Sequence, residues 1–517
     1  MMLEPAITAQ LTQVFSALTT PITFVVAESA HEKQPELLSL VRELAATSPK
    51  LDVRVEGPQV SGVSLSLERD GKRLGPSFRG VPGGHELTSL VLAVLHANGL
   101  GKLPDEGIRE RMRALSGPAK IRTYVSLSCE NCPDVVQALG IVALTHPEIE
   151  HEMVDGALVP DEVAALGLRG VPAVFVGDEL VHVGKSTLGE LLEKLERSLG
   201  KREVERNEPA PTRRYDVVVV GGGPAGASAA IYTARKGLKT AIVTEIVGGQ
   251  LKETLGIENM IGTKRTEGAK LAADLEAHVA VYGIDVLEHR KVERVRDGAT
   301  KTLEMRSGER IETSALILAT GAKWRELGVP GEKEYLGRGV AFCPHCDGPF
   351  YAGKRIAVVG GGNSGVEAAI DLSAIAAHVT LVEYADTLKA DAVLVRKLES
   401  LPNVEVVRSA KTTRVVGDGA KVTALAYEDR TSGGARELAL DGVFVQIGLV
   451  PNSALVEGLV ALNRYGEILV DERGRTNVPG IYAAGDVTTV PFKQIVIAMG
   501  EGAKVALAAF EDRMKAA

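Results

Sequence analysis

The chain has 517 residues, of which 45% are hydrophobic and 24% are charged, which is ordinary globular usage and excludes a disordered or fibrous protein. At about 150 residues per domain, this length predicts three or four domains. The net charge of −8 leaves no basic excess to neutralise phosphates, so we expect no nucleic-acid partner. No stretch joins a basic start to a continuous apolar core, so we expect neither a signal peptide nor a membrane span, and a cytoplasmic location.

The first hundred residues predict a small α/β unit. Apolar residues at helical spacing indicate helices, and alternating apolar residues indicate strands, in the order α-β-α-β-β-α. The predicted helices lie near 7–18, 37–44 and 86–97, and the predicted strands lie at 22–27, 51–55 and 63–67.

Residues 103–198 predict a second α/β unit, in the order β-α-β-α-β-β-α after a basic helix. A C-x-x-C pair, Cys129 and Cys132, follows its first strand, so this unit resembles a thioredoxin fold. Pro172 then corresponds to the cis-proline that faces the dithiol in that fold. The two units look like an internal duplication whose first copy has lost its cysteines, and the charged, proline-containing segment 199–213 is typical of a linker.

The four cysteines form two C-x-x-C pairs, with the second at Cys343 and Cys346. In a cytoplasmic chain this spacing indicates redox chemistry or zinc binding, and zinc would need a second pair nearby. We expect Cys129 at the start of a helix, where the helix dipole and backbone N–H groups lower its thiol pKa. Cys132 is then the buried resolving thiol, and we expect no metal site.

A first glycine motif follows the predicted strand 216–220. Gly221, Gly223 and Gly226 satisfy G-x-G-x-x-G and open a predicted helix, so backbone N–H groups can approach a pyrophosphate at the helix N-terminus. Glu245 closes the next strand and can accept hydrogen bonds from ribose hydroxyls. The combination of strand, glycines, helix and acid predicts a dinucleotide site.

A second glycine motif, formed by Gly360, Gly362 and Gly365, follows the predicted strand 355–359. Glu383 ends the following strand. No arginine stands directly after Glu383, whereas an NADP site usually places a cation there for the 2′-phosphate. The sequence therefore favours NADH over NADPH at this second site.

Two dinucleotide motifs in one chain predict one flavin and one nicotinamide. Thr320 and Gly321 lie in a segment that resembles the A-T-G turn of two-dinucleotide flavoproteins. Gly485 and Asp486 end a segment that resembles their C-terminal flavin motif, in which the acid binds the ribityl chain. Asp347 directly follows the second cysteine pair, where we expect either an acid/base for thiol protons or a helix N-cap.

The order of these features, with the segments Cys343–Pro349, Gly360–Asp371 and Ser126–Asp134, resembles the flavoprotein subunit of alkyl hydroperoxide reductase over essentially the whole chain. The implied fold class is α/β: tandem thioredoxin-like folds followed by a two-dinucleotide, FAD/NAD Rossmann-like module of the thioredoxin-reductase type. The implied domains are 1–102 and 103–198 (thioredoxin-like), 199–213 (linker), 214–333 with 451–517 (FAD-binding) and 334–450 (NADH-binding).

The resemblance implies an NADH-dependent enzyme that contains FAD and reduces the disulfide of a two-cysteine peroxiredoxin. Electrons would pass from NADH through FAD to Cys346, the flavin-proximal thiol, and Cys343, the interchange thiol. They would then pass to Cys129 and Cys132, and on to the peroxiredoxin. The family also suggests a homodimer.

Further site residues follow from the resemblance. Glu86 would supply a carboxylate from the cysteine-free copy beside the thiols of the second copy, although an ordinary surface glutamate fits the sequence too. The family-like flavin segments add four residues to the FAD site: Gly249, Gln250, Asn259 and Gln494.

Three other functions fit parts of the pattern. A general NADH-dependent protein-disulfide reductase would share both cofactors and differ only in its acceptor. An H2O2-forming NADH oxidase would not need Cys129 and Cys132. A thioredoxin-like adaptor with vestigial cofactor sites would not keep four cysteines and two complete glycine motifs.

Overall fold

A computed structural model of the chain describes residues 3–57, 59–168, 170–202, 212–254 and 256–516. Most of the predicted linker, residues 203–211, lies outside the described residues. The chain divides into two compact units, Met1–Pro211 with Leu287–Lys291, and Thr212–Val286 with Val292–Ala517.

The first unit contains two similar α/β halves around one sheet. Its helices are α1 Pro5–Phe15, α2 Gln34–Ala45, α3 Leu87–Ala97, α4 Glu106–Arg113, α5 Cys132–Thr145, α6 Pro160–Ala165 and α7 Leu188–Leu199. Its strands are β1 Ile22–Val26, β2 Leu51–Val55, β3 Leu65–Arg69, β4 Lys72–Arg79, β5 Ala119–Val125, β6 Ile149–Asp155, β7 Ala173–Val176 and β8 Glu179–Val183.

The two halves share a single eight-stranded sheet in the order β2-β1-β3-β4-β6-β5-β7-β8. The halves join where β4 and β6 pair in parallel, with Phe78 opposite Met153. One hydrophobic core also crosses this junction, because Cys132 and Met153 of the second half pack in the same cluster as Leu90 of the first. The sheet and its core therefore tie the dithiol-bearing half to the cysteine-free half.

The predicted order of the first half was wrong in one respect, because it omitted β4. Gly75 and Pro76 interrupt this strand and hide its alternation of apolar residues. The glycine is required by packing, since a Cβ on Gly75 would lie 2.3 Å from the carbonyl oxygen of Ala143 in α5. The close approach of β4 to α5 thus explains why a glycine interrupts the apolar pattern of this strand.

The second unit contains two dinucleotide-type sheets. Its helices are α8 Pro224–Ala234, α9 Gly268–Val281, α10 Pro344–Asp347, α11 Asn363–Ser373, α12 Ala392–Glu399 and α13 Ile495–Ala516. Its first strands are β9 Arg213–Gly222, β10 Thr240–Val247, β11 Asp285–Leu287, β12 Val292–Arg296, β13 Lys301–Met305, β14 Arg310–Leu318 and β15 Ala322–Trp324. The remaining strands are β16 Val340–Ala341, β17 Arg355–Val359, β18 His378–Val382, β19 Val404–Val407, β20 Ala410–Gly417, β21 Val422–Asp429, β22 Gly434–Ala439, β23 Gly442–Val445, β24 Leu449–Pro451 and β25 Ile481–Ala483.

The first of these sheets is seven-stranded, in the order β11-β10-β9-β14-β13-β12, with β25 added beside β14. Its central strand β9 carries a buried run of valines, as a strand covered on both faces requires. Helices α8 and α13 pack closely, because a Cβ on Gly502 would lie 2.1 Å from the carbonyl oxygen of Ala225. The first glycine motif lies where the carboxyl end of β9 meets the N-terminus of α8.

The second sheet has five strands, all paired in parallel, in the order β16-β23-β17-β18-β19. A three-stranded antiparallel sheet, β20-β21-β22, and the two-stranded sheet β15-β24 complete the unit. The second glycine motif follows β17, the central strand. Each motif therefore lies at the carboxyl end of a central parallel strand, which is where α/β sheets bind their ligands.

Two structural features are absent from the residues that the structure describes. Among those residues, no helix is both long and apolar enough to cross a bilayer. In the same part of the chain, no three or more His, Cys, Asp or Glu side chains converge as ligands for a metal ion.

Candidate active site

The dithiol of the first unit lies between β5 and α5, where Cys129 and Cys132 form a disulfide. The expectation that Cys129 begins the helix was wrong: α5 begins at Cys132, its N-cap is Asn131, and Cys129 lies in the preceding turn. Cys132 is completely buried, whereas Cys129 is partly exposed. Cys129 is therefore the sulfur that an incoming protein thiol can reach.

Pro172 faces this dithiol in the predicted way. The peptide bond between Val171 and Pro172 is cis. The sulfur of Cys129 lies 3.9 Å from the carbonyl oxygen of Val171. The thioredoxin-like arrangement of dithiol and cis-proline, predicted from sequence, is confirmed.

Glu86 reaches the dithiol region from the cysteine-free half. Its turn packs on the loop before Cys129, since the N–H of His85 donates to the carbonyl of Leu127 at 3.2 Å. Gly84 has a φ of +54°, and a Cβ there would lie 2.7 Å from that same carbonyl oxygen. A glycine is thus needed for the close approach that brings Glu86 beside the loop.

The carboxyl group of Glu86 is an unusual buried acid. The residue is 0% exposed, and neither side-chain oxygen forms a hydrogen bond of good geometry. Burial raises the pKa of Glu86 to about 7, the nearby hydroxyl of Ser89 opposes this rise, and the carboxylate of Asp134 on α5 adds to it. A carboxyl group with this pKa can take up or release a proton near neutrality.

The first glycine motif forms a tight turn around the N-terminus of α8. Gly221 has a φ of +116°, and a Cβ there would lie 2.1 Å from the carbonyl oxygen of Ala319. A Cβ on Gly226 would lie 2.0 Å from the carbonyl oxygen of Gly221, so the third glycine permits close helix–strand packing. Gly223, the N-cap of α8, has open space where a side chain would stand. This open cradle at a helix N-terminus fits the pyrophosphate of a dinucleotide.

Several predicted flavin residues make contacts within the second unit, and Gly249 adjoins the cradle, since a Cβ there would lie 3.6 Å from the Cα of Gly223. The side chain of Gln250 donates to the carbonyl of Ala322. Asn259 donates to the side-chain oxygen of Gln494 at 3.0 Å, across 235 residues of sequence. The remaining two lie in the adjoining strand and turn, with Glu245 inside β10 and Gly249 at a φ of +53°.

The C-terminal flavin segment also meets the glycine motif. Gly485 has a φ of +75°, and a Cβ there would lie 3.0 Å from the Cβ of Ala225 near the start of α8. Asp486 follows it, and burial raises the pKa of this carboxyl while the Lys493 ammonium opposes the rise. The structure thus places Asp486 close to the cradle.

Sequence reasoning missed Asn452, which holds the turn at Thr320 and Gly321. The Thr320 hydroxyl donates to the Asn452 carbonyl, and the Asn452 side chain donates to the Thr320 carbonyl, both at 2.8 Å. The Asn452 N–H also donates to the carbonyl of Gly321 at 2.9 Å. Because 132 residues separate Asn452 from Thr320, no local pattern indicated this clamp.

The second glycine motif repeats the geometry of the first. Gly360 has a φ of +126°, and a Cβ on Gly365 would lie 1.9 Å from the Gly360 carbonyl oxygen. Gly362, the N-cap of α11, is open on its Cβ side. The carboxylate of Glu383 accepts the N–H of Gly361 at 2.5 Å and that of Ala385 at 2.8 Å. These residues fit a second dinucleotide, with Glu383 fixed against the glycine turn.

The second cysteine pair lies at the start of α10: Cys343 directly precedes this helix and Cys346 is within it. Cys343 is in the disulfide-bonded state, and its carbonyl accepts the N–H of Asp347 at 2.9 Å. The side chain of Cys346 lies outside the described residues. Burial raises the pKa of Asp347 to about 6. Next to this helix, the ring of Phe350 lies 3.6 Å from where a Cβ on Gly256 would stand, so α10 adjoins the segment that follows Gln250.

These sites and this fold define a class of protein: a pyridine nucleotide-disulphide oxidoreductase joined to thioredoxin-like domains. The family model of pyridine nucleotide-disulphide oxidoreductases matches residues 215–502, more than half of the chain, and a thioredoxin-domain model matches residues 119–197. The predicted fold class is confirmed.

Similar proteins match over nearly the whole chain. The F-type subunit of alkyl hydroperoxide reductase from Pseudomonas putida is 48% identical over 99% of both chains. The protein of the same name from Escherichia coli strain K12 is 45% identical over 99% of this chain and 98% of its own. A Bacillus subtilis protein named NADH dehydrogenase is 46% identical over 99% of both chains. The chain belongs to the family of F-type subunits of alkyl hydroperoxide reductase.

Solved structures of similar fold include thioredoxin reductases. The protein from Streptococcus pyogenes is 34% identical with a TM-score of 0.56, and the match covers 59% of this chain and 100% of the other. The protein from Giardia duodenalis is 31% identical with a TM-score of 0.57, at the same coverage. The chain is therefore an oxidoreductase with a thioredoxin-reductase-like module.

Proposed function

We propose that the protein is an NADH-dependent flavoprotein reductase that delivers electrons to the disulfide of a two-cysteine peroxiredoxin. The observation that carries this proposal is the full-length similarity to the F-type subunits of alkyl hydroperoxide reductase, in a chain that keeps both cysteine pairs and both glycine cradles. The overall change is NADH, a proton and a protein disulfide to NAD⁺ and a protein dithiol. The peroxiredoxin, not this chain, then reduces the peroxide.

Two dinucleotides fit the two cradles. The FAD site would comprise Gly221, Gly223, Gly226, Glu245, Gly249, Gln250, Asn259, Thr320, Gly321, Gly485, Asp486 and Gln494. The NADH site would comprise Gly360, Gly362, Gly365 and Glu383. When bound, the flavin supplies two-electron transfer between a nicotinamide and a disulfide.

The second cysteine pair would receive these electrons. Two-electron reduction of the disulfide between Cys343 and Cys346 gives two thiolates, each of which takes up a proton to become a thiol. Asp347, whose pKa burial raises to about 6, can donate a proton to a leaving thiolate and recover it later. Cys343 then acts as the interchange thiol.

The following steps are thiol–disulfide exchanges, in which one S–S bond forms as another breaks. The thiolate of Cys343 attacks the disulfide of Cys129 and Cys132, and a second thiolate resolves the mixed disulfide. The partly exposed Cys129 next attacks the peroxiredoxin disulfide, and the buried Cys132 releases the product dithiol. Glu86 accepts and returns the thiol protons of this pair, since burial raises its pKa to about 7.

The domain organisation proposed for this route has five parts. They are cysteine-free and dithiol-bearing thioredoxin-like domains (1–102 and 103–198), a linker (199–213), an FAD-binding domain (214–333 and 451–517) and an NADH-binding domain (334–450). We propose further that the protein acts in the cytoplasm as a homodimer.

The test measures NADH oxidation by the full chain with a purified two-cysteine peroxiredoxin and a peroxide. Wild-type protein should oxidise NADH only when both are present. Cys129→Ser should lower this rate at least a hundredfold, whereas Ser128→Ala, which changes the neighbouring residue, should retain it. Oxidation that persists in Cys129→Ser and ignores the peroxiredoxin would contradict the proposal.

The alternative to be tested is an NADH oxidase, which shares with the Bacillus subtilis relative named NADH dehydrogenase only the oxidation of NADH. It predicts oxygen consumption and H2O2 release from NADH alone, at rates that match the peroxiredoxin-coupled rate. Simultaneous oxygen-electrode measurements distinguish the two functions. A general disulfide reductase would instead reduce thioredoxin or glutaredoxin substrates as fast as the peroxiredoxin.

A further inference from the structure

A stacked pair of side chains lies beside the acidic residue of the second dinucleotide site. Tyr384 follows Glu383 directly, and Arg430 comes 46 residues later. The guanidinium carbon of Arg430 lies 4.0 Å from the centroid of the Tyr384 ring. The same guanidinium donates to the Tyr384 carbonyl at 2.8 Å. The cation that the sequence lacked directly after Glu383 is therefore supplied from the turn between β21 and β22.

Backbone hydrogen bonds hold this arrangement in place. The N–H of Ser409 donates to the carbonyl of Ala385 at 2.8 Å, and the N–H of Arg430 donates to the carbonyl of Ser409 at 2.7 Å. Ser409 adopts a φ of +53°, which a non-glycine residue rarely takes. The position of Arg430 over the ring is thus fixed by three successive segments rather than by side-chain contact alone.

The pair lies where the adenosine half of a nicotinamide dinucleotide would bind. In dinucleotide folds the acid at the end of the second strand binds the ribose, so the next residue adjoins the nucleoside. Glu383 is held against the glycine turn by Gly361, which fixes that ribose position. Tyr384 is 57% exposed, and Arg430 is exposed as well, so both side chains are accessible to a ligand.

We propose that Tyr384 and Arg430 form the platform on which the adenine of NADH stacks. A guanidinium is planar and stacks on aromatic faces, so its outer face can receive adenine while its inner face lies on Tyr384. This inference rests on the proposed use of NADH at the second glycine motif. It assigns to these residues the recognition of adenine.

The same geometry gives Arg430 a different role from the cation of an NADP site. Its guanidinium is already directed at a ring and a carbonyl, rather than left free for a 2′-phosphate. The carboxylate of Glu383 lies on the ribose side and would repel a phosphate there. The pair therefore supports adenine binding without creating affinity for the phosphorylated nucleotide.

The test is isothermal titration calorimetry of the full-length, flavin-loaded protein with four probes. The probes are NAD⁺, AMP, nicotinamide mononucleotide, which lacks adenine, and adenosine 2′,5′-bisphosphate, which carries the 2′-phosphate. Arg430→Ala should raise the dissociation constants of NAD⁺ and AMP about five- to tenfold, with that of nicotinamide mononucleotide unchanged. Tyr384→Ala should act in the same direction, and Tyr384→Phe, which keeps the ring, should match wild type.

Arg436→Ala is the matched control. Arg436 belongs to the same hairpin and pairs with Asp429, and its replacement removes the same positive charge as Arg430→Ala. Equal losses of AMP affinity in Arg436→Ala and Arg430→Ala would overturn the proposal, since long-range charge would then explain both. A loss confined to adenosine 2′,5′-bisphosphate would also overturn it by making Arg430 a phosphate ligand. Wild-type protein that binds no NAD⁺ would overturn the proposed function itself, whereas unchanged AMP affinity in Arg430→Ala would overturn this inference alone.

Discussion

Glu86 illustrates how one buried carboxyl group links protein stability to pH. Its usual pKa near 4.5 rises to about 7 in the folded protein. A carboxyl whose pKa is higher in the folded state favours folding at low pH, and this contribution is lost as the pH rises from about 4.5 to about 7. Over that interval the loss amounts to about 3 kcal/mol.

Replacement of Glu86 by glutamine should remove this pH-dependent loss, because the amide stays neutral. In calorimetry of the full chain, the transition of the first unit should fall by roughly 5–10 °C less between pH 5 and pH 8 in Glu86→Gln than in wild type. Glu130→Gln, at an exposed position between the two cysteines, is the control and should behave as wild type. Identical pH dependence in wild type and Glu86→Gln would show that the carboxyl does not titrate in the folded protein.

Asp347→Asn tests the second carboxyl group whose pKa burial raises, here to about 6. The variant cannot exchange a proton with the thiols of its cysteine pair, so reduction of that disulfide should slow by about tenfold or more. Wild-type rates should change with pH around 6, and those of the variant should not. Anaerobic stopped-flow absorbance of the flavin measures the step. Asp386→Asn, at an exposed position, should leave the rate unchanged.

At the scale of elements, strand β4 determines whether the first unit has one sheet or two. Gly75 allows this strand to lie against α5, so Gly75→Ala would force the two apart. We expect Gly75→Ala to lower the stability of the first unit by about 1–3 kcal/mol. Gly140→Ala, in α5 and with open space at its Cβ, should be neutral or stabilising. Thermal unfolding of the full chain compares the two, and equal midpoints would contradict the packing argument.

The elements that sequence predicted best are those specified by local chemistry. The alternation of β5, the cysteine pair after it and the proline of the cis peptide all lie within about fifty residues, and the structure has them as expected. Strand β4 was missed because Gly75 and Pro76 interrupt its pattern, and Gly75 is there because of packing against α5 rather than because of the strand itself. The predicted start of α5 at Cys129 was three residues too early, because the helix begins at Cys132 with Asn131 as its N-cap.

The site residues also divide into those that a local sequence pattern identifies and those that only the folded chain brings together. Gly221 and Gly360 are required by the backbone of their turns, and Gly226 and Gly365 by close packing on those turns, so the short spacing of the motif was enough to find them. Asn452 and Arg430 act on residues that lie 132 and 46 positions away, through contacts that only the folded chain creates. Neither stands in a recognisable local pattern, so no interpretation of spacing could have assigned it.

At the scale of the whole molecule, the single tryptophan reports on one unit only. Trp324 lies in the second unit, where its ring stacks on Phe342 with centroids 6.0 Å apart. Removal of the flavin should destabilise this unit by several kcal/mol, because a ligand bound at a thousand times its Kd contributes about 4 kcal/mol. Trp fluorescence should therefore show an earlier transition in the flavin-free chain. The calorimetric transition of the first unit should not move, and a parallel shift of both transitions would contradict independent unfolding.

The pairing of β4 with β6 limits which parts of the first unit could be lost during evolution. Each half alone would expose one of these strands as an open edge, which invites association with other chains. Joined, the two edges protect each other, and only β2 and β8 remain at the borders of the sheet. Deletion of the cysteine-free half would therefore leave β6 as an open edge and the dithiol-bearing half prone to aggregation. Selection against aggregation is thus sufficient to retain the cysteine-free half, apart from any role of Glu86.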